Sequence, residues 1–177
     1  KFFWQRWIGW NTRAGRYRAL TEQLDRHHAV FEKDEGAALY QYALNYCIRR
    51  INDGQPEAYP EALALYQTLL DRDVLLRQGR LSQWTFKNIT TAGLRSGAFA
   101  WTEDFLHHYR DLMLPAEADN AFAYNLAALH FEKKNYPATL LTLQNVEFTD
   151  FSYHLGAKIL QLKSFYLLRE TEALTAL

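Results

Sequence analysis

Leu126-Ala127-Ala128-Leu129-His130-Phe131-Glu132-Lys133-Lys134-Asn135-Tyr136-Pro137-Ala138-Thr139-Leu140 reads as the end of one helix, a polar turn and the start of a second. Pro137 suits the first turn of that second helix, where its missing N–H has no intrahelical partner to lose. Working outward, turns of the same kind stand at Gly15 to Leu20, Ala58 to Leu63, Gly97 to Thr102 and Glu170 to Leu174: a breaker or polar residue, usually an aromatic, then a small residue. Taking Tyr17, Tyr59, Phe99, Tyr136 and Thr171 as equivalent points, the spacings are 42, 40, 37 and 35 residues. A repeat in this range means stacked helical hairpins.

Composition agrees with a folded helical chain. The 177 residues are 49% hydrophobic and 15% aromatic, which excludes disorder. A chain of this length buries roughly 70% of its unfolded surface and needs no disulfide or metal to hold it. Mean hydropathy is -0.35 and no apolar run reaches 18 residues, so no transmembrane span is expected. Twenty basic and twenty acidic residues cancel, leaving no global steering toward nucleic acid or an anionic surface. The lone cysteine, Cys47, sits in an apolar run and reads as a core thiol, compatible with a reducing, cytoplasmic setting. We expect one continuous domain over residues 1–177, a piece of a longer solenoid.

Helical spacing dominates, and strand-type alternation is nowhere sustained. Leu39, Tyr42, Ala43, Tyr46 and Cys47, for example, share one helix face. Breakers at Gly15, Gly36, Gly54 with Pro56 and Pro60, Gly79, Gly97, Pro115 and Asn135 to Pro137 separate the periodic segments. They predict helices at about 2 to 13, 16 to 33, 36 to 52, 58 to 71, 81 to 96, 98 to 113, 116 to 133, 137 to 147, 151 to 168 and from 171 onward. These make five hairpins, the last truncated.

The stretch from Tyr124 to Thr139 resembles the tetratricopeptide repeat, with Leu126-Ala127 at its Leu-Gly or Leu-Ala pair, Phe131 at its aromatic and Tyr136 at its turn. Pro137-Ala138-Thr139 departs from the pattern by placing the small residue one position early. Tyr59-Pro60-Glu61-Ala62 fits the start of the repeat's second helix, and the run from Trp84 to Leu174 is similar to bacterial tetratricopeptide-like proteins with degenerate, slightly long repeats. The resemblance implies an all-α fold, an α-α superhelix of about five such hairpins, and the binding of a protein or peptide. It also implies a concave groove lined by the first helix of each hairpin. Carried from the Leu126-Ala127 unit, the family's groove register falls on Tyr124, Asn125, Ala128 and Glu132. One repeat back it falls on Lys87, Asn88, Thr91 and Arg95, and one repeat forward on Lys163 and Tyr166. Lys87, Asn88, Arg95, Tyr124, Asn125 and Lys163 are the candidate peptide-binding residues. Asparagine amides can hold a peptide backbone while the cations pair with carboxylates, so the implied partner is acidic.

No catalytic constellation competes with this reading. His27-His28 and His107-His108 are adjacent pairs, whose side chains diverge by about 100° on a helix and cannot chelate one ion together. Glu103 with His107 and Asp104 with His108 have the i,i+4 spacing, but a tetrahedral site needs further ligands such as His130 or His154. No Gly-x-Ser-x-Gly occurs, and Gly93 and Gly97 read as a packing position and a helix cap rather than a phosphate loop. We expect no enzyme, no metal and no cofactor. The first 20 residues carry Lys1, Arg6, Arg13, Arg16 and Arg18 without an acid, among Phe2, Phe3, Trp4, Trp7, Trp10 and Tyr17. Arginines with aromatic platforms can stack single-stranded bases, so a nucleic-acid-binding helical repeat is the alternative to a non-catalytic protein-binding scaffold. The same amphipathic mixture can lie on a membrane surface, and packing of these aromatics against a neighbouring hairpin is the reading we favour for that segment; an enzyme using Asp104, His107 or His108 is the weakest reading, since no nucleophile, orienting residue or metal set accompanies them.

Overall fold

The computed structural model of the chain describes residues 13–27, 33–144 and 150–170. Among them the structure is all-helical: α1 (Arg13–His27), α2 (Lys33–Asn52), α3 (Ala58–Asp71), α4 (Gln83–Arg95), α5 (Phe99–Tyr109) followed by a 3-10 turn (Arg110–Leu112), α6 (Pro115–Glu132), α7 (Tyr136–Gln144) and α8 (Phe151–Leu168). The helices expected at about 2 to 13 and from 171 onward, and the basic aromatic residues before Arg13, lie outside the described residues. No described helix is long and apolar enough to cross a membrane. The described residues fall into two compact units, one up to Leu75 and the other from Leu76 onward.

In the first unit α2 packs on α1 and α3. Tyr40, Ala43, Leu44 and Cys47 form the buried stripe of α2, so the face is turned from the predicted one, and Tyr42 stands in solvent. The difference arises because α2 is apolar around more than half its circumference; periodicity finds the helix, and its neighbours choose the stripe. Arg50 fastens α2 to α3. Its Nη1 donates to both carboxylate oxygens of Glu61 at 2.8 Å and its Nε to Gln55 Oε1 at 2.9 Å.

In the second unit α4 packs on α6 and α6 on α8, while α5 packs on both α4 and α6, and α7 on both α6 and α8. α6 is thus covered from four sides. Its fully buried positions are Ala121, Asn125, Ala127 and Leu129. Leu126 and Phe131, which the repeat register places in the core, are only partly buried, with the Phe131 ring against Tyr136 at 5.4 Å. Small side chains win these sites because two helices must approach α6 closely. Gly93 on α4 serves the same end: a Cβ there would collide with Thr102 Oγ1 on α5.

Helix ends explain the sequence repeat. At the end of α4 Gly97 N–H donates to Leu94 O at 3.1 Å and Ala98 N–H to Gly93 O at 2.9 Å, with Gly97 in the left-handed region at φ 72°. This double bond pattern satisfies two carbonyls that the helix leaves unpaired. The same pattern closes α2 at Gly54, α3 at Asp73, α6 at Lys134 and α8 at Arg169. Gly97, Lys134 and Arg169 are 37 and 35 residues apart, matching the spacing of the equivalent points that follow them. Tyr59, Phe99 and Tyr136 each fall in the first two residues of a helix, whereas Tyr17 lies inside α1.

Lys134 holds φ 61° without being glycine, a conformation costing a residue with a Cβ roughly 1 kcal/mol. Lys134→Gly should therefore raise stability by about 1 kcal/mol, and Gly97→Ala should lower it by a similar amount. Urea unfolding of the two variants checks the pair, since the opposite signs follow only if both positions keep the left-handed conformation.

Candidate functional site

Three of the six predicted groove residues converge in the second unit, although as a closed cluster. Ser82 caps α4, its Oγ accepting from Thr85 N–H at 3.1 Å, and the turn that follows places Trp84 and Lys87 on one face. Asp150 caps α8, its Oδ1 accepting from Ser152 N–H at 2.8 Å and Tyr153 N–H at 3.1 Å. That cap orients Tyr153, whose hydroxyl donates to Gln83 O at 3.0 Å and whose ring is fully buried. Trp84 stacks on Tyr153 at 5.7 Å, and Tyr124 of α6 meets the same ring edge-on at 5.1 Å.

Lys87 Nζ lies 4.9 Å from the Tyr124 ring centre, 5.0 Å from Tyr153 and 5.9 Å from Trp84. Ring quadrupoles attract the ammonium at such distances, by about 0.5–2 kcal/mol per favourable pair. Burial acts in the other direction and pushes the Lys87 pKa down, with the Asp150 carboxylate partly restoring it. Burial pushes both phenols up, and at Tyr153 a hydrogen bond from Asn125 opposes the shift. The rings enclose a cation that the chain itself supplies. Gly156 makes room for this: a Cβ there would stand 2.7 Å from Tyr124 Cε2 and 2.8 Å from its hydroxyl.

Asn125 requires a correction. The groove register turns its amide toward a ligand, whereas the structure buries it and Nδ2 donates to Ala121 O at 2.8 Å, within its own helix. Asn88, Arg95 and Lys163 are exposed and stand outside the aromatic cluster. The partners that sequence reading missed, Trp84, Tyr153 and Gly156, carry a local signal only in the i,i+3 pairs Trp84/Lys87 and Tyr153/Gly156; the separation between helices hides the rest.

Groups suited to catalysis are engaged elsewhere. Cys47 Sγ donates to Tyr17 Oη at 3.3 Å, and burial holds its pKa above the usual thiol range, which keeps it protonated and a poor nucleophile at neutral pH. Glu103 accepts from Lys133 Nζ at 2.6 Å, and that contact lowers its pKa. His107 packs edge-on against Phe122 and His108 against Tyr109. Among the described residues no three His, Cys, Asp or Glu side chains gather into a metal site.

A second surface lies on α8. Tyr153, Ala157 and Ser164 form its buried face. Phe151, Leu155, Ile159, Leu162 and Tyr166, spaced 4, 4, 3 and 4 residues, are all exposed, from 43% at Ile159 to 76% at Phe151. At about 100° per residue they fill an arc of about 80° opposite the buried face, in a stripe about 22 Å long. α8 therefore has two apolar faces, and only one is covered by the described residues. Periodicity carries this stripe in full, yet an apolar helix with two such faces does not declare which one packs.

No family model matches the chain, and no curated protein or solved structure matches it either.

Two outcomes follow from the cluster. Gly156→Ala should cost about 1–3 kcal/mol by forcing Tyr124 out of its place, read as a lower urea midpoint and a changed Trp84 emission. Because the folded-state pKa of Lys87 lies below its unfolded value, the unfolded chain holds the proton to higher pH. Wild-type stability relative to Lys87→Met should thus rise as pH climbs from below the folded pKa toward 10.5, the ordinary lysine value. A difference constant with pH would mean that the rings cancel the effect of burial.

Proposed function

We propose that the chain is a non-catalytic protein-binding module, a tetratricopeptide-like superhelix whose partner lies against the outer face of α8. The uncovered apolar stripe from Phe151 to Tyr166 carries this reading. Contiguous exposed apolar surface on a folded chain marks an interaction site, whereas the Lys87 cluster is already filled by its own cation. The packing of α4 on α6 and α6 on α8, with α5 and α7 each bridging successive members, supports the superhelical repeat. An acidic protein or peptide remains the partner class, because Lys158 and Lys163 stand exposed on the same helix.

A photo-crosslinking side chain at position 155, exposed to lysate of the producing cells, should yield discrete protein adducts that Ile159→Glu abolishes and nuclease leaves unchanged. The same side chain at exposed Gln55 should not yield them. Identical adducts from both positions would sink the reading, and nuclease-sensitive adducts would favour a nucleic-acid partner.

A further inference from the structure

Building on that reading, we propose that the occupant of the α8 stripe is an amphipathic helix with acidic residues along both edges of its apolar face. Geometry sets the shape of the partner. A straight stripe about 22 Å long, made of residues spaced 4, 4, 3 and 4, fits the ridge of another helix of about 15 residues, which presents anchors at the same intervals. An extended strand would offer side chains on alternate faces and seeks a sheet edge for its backbone groups; α8 has none to give.

Charge sets the chemistry of its edges. At about 100° per residue, Lys158 falls about 20° beyond Phe151 on one side of the stripe and Lys163 about 40° beyond Ile159 on the other. Both are exposed, and neither forms an ion pair among the described residues. From Phe151 to Leu168 the helix contains no Asp or Glu. A helix lying along the stripe thus meets a lysine on each flank and gains from carboxylates there, as flanking positions do in paired helices. A second copy of this chain is disfavoured by the same observation, because pairing α8 with itself brings lysines toward lysines with no acid on either helix to separate them.

The test uses two synthetic helical peptides of about 18 residues with the same leucine stripe, one flanked by glutamates and the other by lysines, titrated into the whole chain by fluorescence anisotropy. The acidic peptide should bind about tenfold or more tightly than the basic one, as several exposed ion pairs together allow. Ile159→Glu should abolish binding, and Lys158→Glu/Lys163→Glu should invert the preference with helical circular dichroism unchanged; inversion cannot come from misfolding. Equal affinity for the two peptides overturns the acidic partner while leaving α8 as a protein-docking face. Binding of neither peptide overturns the helical occupant, and the crosslinking at position 155 then decides separately whether the docking reading also falls. A dimer in sedimentation that Ile159→Glu dissociates would assign the stripe to a second copy. Retention on phosphatidylserine vesicles without peptide binding would assign it to a lipid surface.

Discussion

A residue in the left-handed conformation ends each of five helices, and the packing within both units depends on it. It lets two of the last carbonyls find donors in the turn itself as the helix stops. At Gly54, Gly97 and Lys134 the turn brings the next helix back onto the last. Only Gly54 and Gly97 do this with glycine; Asp73, Lys134 and Arg169 adopt the same conformation at a cost. At Lys134 that cost is offset by the packing of α7 on α6.

Close approach is the second constraint, and it is met by removing side chains. Ala121 and Ala127 on α6, Gly93 against Thr102 and Gly156 against Tyr124 all stand where helices come nearest. Beside them Trp84, Tyr124 and the fully buried Tyr153 form a ring cluster. Lys87 then enters a space that would otherwise be filled by aliphatic carbon. Its ammonium loses hydration and gains three rings, two opposed effects, and burial lowers its pKa. The cluster links α4, α6 and α8 through their side chains, and it gives the second unit a polar element whose protonation state bears on stability.

The proposed function rests on exposed apolar surface, on α8. The thiol is buried, His107 and His108 pack against rings, and the carboxylate of Glu103 accepts from Lys133. α8, by contrast, exposes Phe151, Leu155, Ile159, Leu162 and Tyr166 opposite its buried Tyr153, Ala157 and Ser164. Water around such a stripe favours its burial, and exposed Lys158 and Lys163 flank it.

How much of this the amino-acid sequence determines can be seen at particular residues. Spacing of apolar residues and placement of breakers settle the helices: Ala58–Asp71 and Phe151–Leu168 match their predicted limits, and the other described helices differ by a few residues at their ends. Those signals are local, because a helix is built from contacts four residues apart. The turn recurrence is local too, which is why Phe99 and Tyr136 mark real helix starts. Which face packs is not local. Tyr42 is exposed and Tyr40 buried, Asn125 is inside and Lys163 outside, and α8 hides Tyr153 while showing Phe151, since each choice depends on neighbours distant in sequence. Lys87 and Tyr124 were legible as individual polar and aromatic groups; their meeting with Tyr153, across separations of 66 and 29 residues, was not. The sequence alone determined a chain of helices closed by turns, and tertiary structure decided which apolar stripes became core and which one was left facing water, because burial is settled by whichever surface a helix finds to cover it.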